Sequence, residues 1–497
     1  MGLKRDFAQP ALVVPDEETW LAWRAAGAAA EHAVDWRHAR LLVLPEHVPH
    51  ALAEAVRCAW DLMPAARSAR FYDAPLAGIP ARELLSGRAR VVRGDDPARE
   101  AGENDGDGGG HGDEGEHDGG GGGGDDGHGD EGGHGGHGGG GDHGDMMEIT
   151  GEPSGDGLVM ERLEVRAGPL APGLPGGLVV DATLDGDVVA ACRVRPVLRA
   201  GPRGAPPDPW AAIAWATAER AAREPSAVVA AGGRWLEVAA LEFERAVSHL
   251  AWLHGFCRLL GWPRMTDRVA PVLAAAAALR AAAAPAPARP ERSPADRAEH
   301  TGRADRAGRA EQRRGAQEVQ AAATALAGAL AASRWFGMRT AGLAETTRDD
   351  VDARRLAGPL ARAAGAAEDA RADDPGYGLL GFAPLVREDG DARARALVRA
   401  GEAAQALGLA AAAIARAAEP HGDGDAGPAL TRATAGIPES ARGPLLVSIA
   451  ADGSPRRAAP GAGAACAAAA ELAVGREWSA ALVTIASFDL SPWQVAA

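Results

Sequence analysis

The sequence predicts an α+β protein: a mostly helical bundle core with a β-hairpin or small sheet at its start, a C-terminal α/β piece, and a small N-terminal α/β domain ahead of it all. Three observations carry this prediction. Leu236, Ala239, Ala240, Phe243, Val247, Leu250 and Leu253 recur at spacings of three and four within a helical stretch over residues 209–279. Two alternating apolar runs, 178–184 and 188–194, flank Asp185-Gly186-Asp187, the pattern of a hairpin. Residues 1–100 alternate strand-like runs (11–14, 39–44, 69–72) with helical ones (16–32, 46–63).

Taken in chain order, Pro15-Asp16-Glu17-Glu18 reads as a helix start, because acid in a first turn is favoured by the helix dipole. Residues 101–150 read as a disordered Gly/Asp/His-rich linker, since almost nothing in them can bury apolar surface to offset chain entropy. The domain from 151 to 497 opens with strand-like 163–166 and the hairpin. It continues through the long helical stretch to a Pro/Ala/Arg-rich segment, 285–316, that reads as a disordered insertion. Helices are expected to resume at 317–333 and 391–418, and a final α/β piece at 444–490, with Asp452-Gly453-Ser454 turning between strands.

Composition narrows the function classes. The formal charge is −16, yet residues 101–145 hold thirteen acids and no Lys or Arg, which leaves about −3 for everything else. No basic face argues for nucleic acid. Cys58, Cys192, Cys257 and Cys466 are isolated, without a C-x-x-C pair, so reduced cytosolic thiols are the simple expectation. Apolar runs such as 274–284 are too short to span a bilayer, and MGLKRDFAQP lacks a signal-peptide core. The expected location is cytoplasmic, or peripheral at the inner face of the cell membrane, with no transmembrane segment. No phosphate-binding loop follows a strand, so the residues give no support to NAD or ATP binding.

Two groups of residues carry candidate chemistry. His111, His117, His128, His134, His137 and His143 lie among carboxylates in the acidic segment, an ordinary donor set for nickel or zinc. A chain that must order itself around the ion binds loosely, so metal buffering and a plain solvated spacer both remain open. Glu242, Arg245 and His249, at spacings of three and four, share one polar face of an otherwise apolar helix. Such a face serves either as a buried ion pair holding the bundle or as a proton relay.

Four blocks in order give a resemblance. Gly168-Pro169, Pro172 and Gly176, with the hairpin after them, are similar to GPQHPSTHG. Glu242, Arg245, Ser248, His249 and Leu250 are like E-x-x-R-x-x-S-H-L. Arg362-Ala363-Ala364-Gly365 with Asp369 and Arg371, then Gly390-Asp391, Arg395, Val398-Arg399 and Glu402, follow R-A-S-G-x-x-x-D-x-R and G-D-x-x-x-R-x-x-V-R-x-x-E. Glu439 to Gly443 and the ending Ser487-Phe488-Asp489 complete the set. Over about residues 158–495 the chain thus resembles the complex I 49-kDa subunit, which shares a family with the [NiFe] hydrogenase large subunit.

The resemblance implies a subunit of an NADH:quinone oxidoreductase-like or membrane hydrogenase-like electron-transfer complex, with quinone as the cofactor and a small iron-sulfur subunit as the partner. It also implies which residues should hold quinone, and here the chain departs: both loop histidines are replaced, by Ala171 and Pro175, and the family tyrosine has no counterpart on the following helix. Quinone reduction needs a titratable donor within reach. The hydrogenase branch needs thiolates near 160–260 and at the C-terminus, where this chain reads SFDLSPWQVAA. The competing expectation is a non-catalytic scaffold or a nickel/zinc-binding accessory protein that works through its His-rich segment.

Overall fold

The computed structural model describes residues 162–197 apart from 170 and 172, 208–224, 231–283, 298–419 and 438–495. It also describes 11–13, 41–48, 68–72, 79–86 and positions 53, 56, 57, 60, 61 and 63. The chain divides into two units, Met1–Val91 with Arg162–Ala497, and Val92–Glu161. The second unit lies outside the described residues, and with it the linker and all six of its histidines.

The N-terminal strands form as expected. β1 (Ala11–Val13), β2 (Leu41–Pro45) and β4 (Ser68–Tyr72) make a parallel sheet in the order β1-β2-β4. A short pair, β3 (His47–Val48) and β5 (Ile79–Pro80), precedes helix α1 (Ala81–Leu85). Leu42, Leu44, Val48, Val56 and Leu84 form a small apolar core of their own. The helix expected over 16–32 lies outside the described residues.

The main domain opens with an antiparallel sheet of β6 (Leu163–Ala167), β7 (Leu178–Asp185) and β8 (Val188–Pro196). The Asp185–Val188 turn has Gly186 at φ 65°, a backbone angle that only glycine takes up without strain. Next comes a 3₁₀ turn at Pro209–Ala211, capped by the Asp208 side chain. α2 (Ala212–Arg223), α3 (Ala231–Leu259) and α4 (Pro263–Ala283) then replace the single stretch read from periodicity. Gly261, at φ 70°, and Pro263 break α3 from α4.

α5 (Ala298–Ala332) corrects one boundary. It begins within the 285–316 segment expected to be an insertion, well before residue 317. That segment is rich in Ala, Arg and Glu, which are strong helix formers, and its exposed polar face hid the period that an apolar stripe would have shown. Shorter helices follow: α6 (Arg334–Thr340), α7 (Arg348–Arg354), α8 (Gly358–Arg362) and α9 (Pro375–Leu379). α10 (Ala392–Ala417) matches the expected 391–418 and starts at an Asp391 cap.

The C-terminal piece pairs β9 (Glu439–Ser440) with β10 (Gly443–Pro444), and β11 (Leu446–Ile449) with β12 (Pro455–Ala458). Asp452-Gly453-Ser454 makes the turn between the latter two, with Gly453 at φ 80°. α11 (Ala462–Ala473), α12 (Trp478–Ser487) and α13 (Pro492–Val495) close the chain.

The architecture is α+β, with α3 and α10 at the centre and α4, α5 and α12 packed around them. α10 is the one described helix long and apolar enough to cross a membrane, whereas the sequence reading expected none. It is 72% buried inside the protein over that apolar window, as a core helix is. α5 approaches α10 at Gly408, where a Cβ would sit 2.5 Å from the Gln320 Nε2 atom.

Candidate functional site

The facing sides of α3 and α10 lie at the centre of the domain, so the charges they carry there are taken out of water. α3 carries Glu242, Arg245 and His249, and α10 carries Arg395, Arg399 and Glu402; each of these side chains is at most 2% exposed. A buried ion survives only with close partners. The chain supplies them from four regions far apart in sequence.

Arg245 Nε donates to both Glu242 carboxylate oxygens at 3.1 and 3.2 Å, while Nη1 and Nη2 donate to the backbone carbonyls of Ser440 and Glu439 at 2.7 and 2.5 Å. Glu242 also accepts from Arg371 Nη1 at 3.2 Å and from the Tyr377 hydroxyl at 2.7 Å. Arg371 in turn holds Asp369 at 2.8 Å. Arg362 Nε and Nη2 grip Glu402 at 2.6 and 3.2 Å, and its Nη1 lies 2.8 Å from Asp369 and 3.0 Å from Glu439. His249 Nε2 sits 3.0 Å from Glu402. Four carboxylates (Glu242, Asp369, Glu402, Glu439) thus share three guanidiniums (Arg245, Arg362, Arg371).

Protonation states follow from burial against these partners. Burial alone would push the Glu402 carboxyl up, but Arg362 and His249 outweigh it and hold it well below the ordinary carboxylate range. Asp369 is lowered in the same way, burial being overcome by Arg371 and Arg362. Burial pushes His249 down to about 4 against the pull of Glu402, so the ring is neutral and Nε2–H donates to the carboxylate. Tyr377 is raised well above its usual value by burial and by Glu242, so it stays a phenol and a donor.

A second buried cluster adjoins the first. Asp489, at φ 52°, accepts from Arg442 Nη2 at 2.9 Å and faces Arg399 Nη1 at 2.8 Å. Arg442 and Gln494 also reach Asp208, at 3.4 and 3.1 Å. Asp208 precedes α2 and Gln494 lies in α13, so the two regions where the hydrogenase branch needs thiolates do meet. They meet through a carboxylate, an amide and guanidiniums. Cys192, Cys257 and Cys466 are free, and burial pushes their thiols up to about 11, 12 and 11. Soft thiolate ligation has no donor set at this place, and no group of three His, Cys, Asp or Glu among the described residues could hold a metal ion.

The loop of the first block runs between β6 and β7. Gly168 takes φ 97° and Gly177 N donates to Pro169 O at 2.7 Å; Pro172 lies outside the described residues. The loop closes on the end of α3, where a Cβ on Gly173 would meet Leu259 and Gly255. Ala171 is packed against the apolar core. These residues do not fit a quinone head group that must be protonated, because none of them titrates.

All three residues of the expected helix face are therefore buried and engaged. The structure pairs Glu242 with Arg245 directly but gives His249 to Glu402 on another helix. Tyr377 was missed: its place in sequence showed nothing, and it reaches Glu242 across 135 residues.

The convergence has a counterpart among known proteins. Residues 306–435 match the family model of the respiratory-chain NADH dehydrogenase 49 Kd subunit. A chain of the membrane-bound sulfane sulfur reductase, an archaeal respiratory membrane complex, has a similar fold at 19% identity and TM-score 0.51, with 68% of this chain and 98% of that one covered. Over residues 306–435 the chain is thus similar to the complex I 49 kDa subunit family. No curated protein sequence matches it. Residues of the last three blocks lie in contact with one another, and the loop of the first block carries no titratable side chain.

Proposed function

We propose that this chain is a subunit of a respiratory, complex I-like electron-transfer assembly, that it docks a small iron-sulfur subunit, and that its own role is structural. The observation that supports this reading is the buried network itself. Side chains from three separated blocks pair with one another between α3, α8, α10 and β9, which locks the scaffold. The loop over α3 meanwhile offers no proton donor. On this reading electrons are carried by the partner, and quinone, if it reaches the assembly, is protonated by other groups.

The test is co-purification of the full chain from its native host. An iron-sulfur partner with a characteristic visible absorption is the expected companion. Recovery of a monomer without such a partner would count against the proposal. A thermal shift on adding a soluble ubiquinone analogue to the isolated chain is expected to be absent, and a saturable shift would restore quinone binding to it.

The second reading rests on His111, His117, His128, His134, His137 and His143. A nickel- or zinc-binding accessory role predicts tight, saturable uptake that disappears when residues 101–145 are deleted. Weak, multi-site uptake would reduce the segment to a solvated spacer.

A further inference from the structure

Glu439 sits at the join between the buried network and solvent. It lines a cavity of about 320 Å³, open to the surface, together with Asp369, Gly358 and Ala370; Asp352, Arg355 and Glu368 stand at its exposed rim. Within the network the carboxylates outnumber the guanidiniums by one, and arginine, already fully protonated, takes up no further proton to restore the balance. His249 does not supply the missing positive charge, because its ring is neutral. The two oxygens of Glu439 are unequal. Oε1 accepts from Arg362 Nη1 at 3.0 Å, a nitrogen that also serves Asp369, whereas among the described residues Oε2 has the Ala370 backbone N–H at 3.4 Å as its one hydrogen-bond donor.

We propose that Glu439 is the proton-binding carboxyl of this network, loaded from solvent through the cavity at Oε2. Taking up the proton brings the four carboxylates and three guanidiniums to charge balance, and releasing it leaves one buried negative charge. The groups facing it agree with this. Burial raises the Glu439 carboxyl, and Asp369 raises it further, against the lowering by Arg362 on α8, Arg245 on α3 and Arg371. Arg245 also holds the Glu439 backbone carbonyl, so β9 stays clamped to α3 in either charge state.

Two measurements on the full-length protein test this. The first is the infrared carboxylic-acid C=O band at pH values above about 4.3, where an ordinary glutamate is ionised. The wild type should show a protonated carboxyl whose band shifts promptly in D₂O and disappears as the pH rises, and Glu439→Gln should lack it. The second is melting temperature against pH. With its carboxyl raised in the folded state, Glu439 makes the wild type lose stability as pH climbs from the unfolded-state value through the folded one, and Glu439→Gln should remove that loss. No such band in the wild type, a band that does not exchange in D₂O, a band that persists in Glu439→Gln, or an unchanged pH slope in the variant would each overturn the proposal. If Glu439→Gln does not fold, the wild-type band and its exchange decide alone.

Discussion

Arg245 joins two parts of the chain with one guanidinium: it pairs with Glu242 on its own helix and donates to two carbonyls of β9. Replacing it by alanine strands a buried carboxylate, so Arg245→Ala should cost about 3–5 kcal/mol, read as the shift of a urea midpoint. An unchanged midpoint would mean that Glu242 is hydrated. Tyr377→Phe removes only one donor to Glu242 and should cost about 1–3 kcal/mol in the same assay. His249 sets a pH dependence. Its folded value of about 4 lies below an unfolded value of about 6.5, so between those limits the unfolded chain binds more protons. Its contribution is full above about pH 6.5 and is lost as pH falls towards 4, on the order of 3 kcal/mol. A His249→Gln variant should lack that part of the acid sensitivity, which a melting series from pH 7 to 4 would show.

At the scale of elements, periodicity and caps did most of the reading. α10 and the β7–β8 hairpin fall where apolar spacing and the Asp-Gly turn put them. The start of α5 did not, because an exposed helix made of Ala, Arg and Glu has no apolar stripe to count. Close approaches between elements were illegible for a different reason: they depend on what arrives from elsewhere. At Gly358 a Cβ would lie 2.4 Å from the Arg442 carbonyl, and φ is 64°. Gly358→Ala should therefore lower stability by about 1–3 kcal/mol and loosen the contact of α8 with β10, seen as faster amide exchange in residues 439–444. Exchange at the wild-type rate would show that the two elements can part without cost.

At the scale of the whole molecule, the enclosed helices α3 and α10 explain why so many charges are buried and still compatible with a stable fold. Each is paired with a residue that the chain brings from another region, so the network ties the bundle to the C-terminal piece. That network is a structural device, to which the proton proposed for Glu439 adds a variable part. Glu242, Arg245 and His249 were legible beforehand as one polar face, since i, i+3 and i+4 positions are neighbours on any helix. The same spacing could not show that His249 turns to Glu402 rather than to Arg245, nor that Tyr377 completes the coordination of Glu242.

Sequence alone determined the local facts: which segments are helical, where the hairpin turns, which positions on an apolar helix are charged, and that the loop and the C-terminus carry no histidine or thiolate where the resemblance called for them. These follow from neighbours along the chain and from side-chain chemistry, which need no fold to be read. Tertiary structure alone decided what those charges do. Arg371, Glu402, Glu439 and Tyr377 become partners of the α3 face only because packing α10 against α3 removes water from all of them at once, and a charge denied water must take whichever opposite charge the fold delivers.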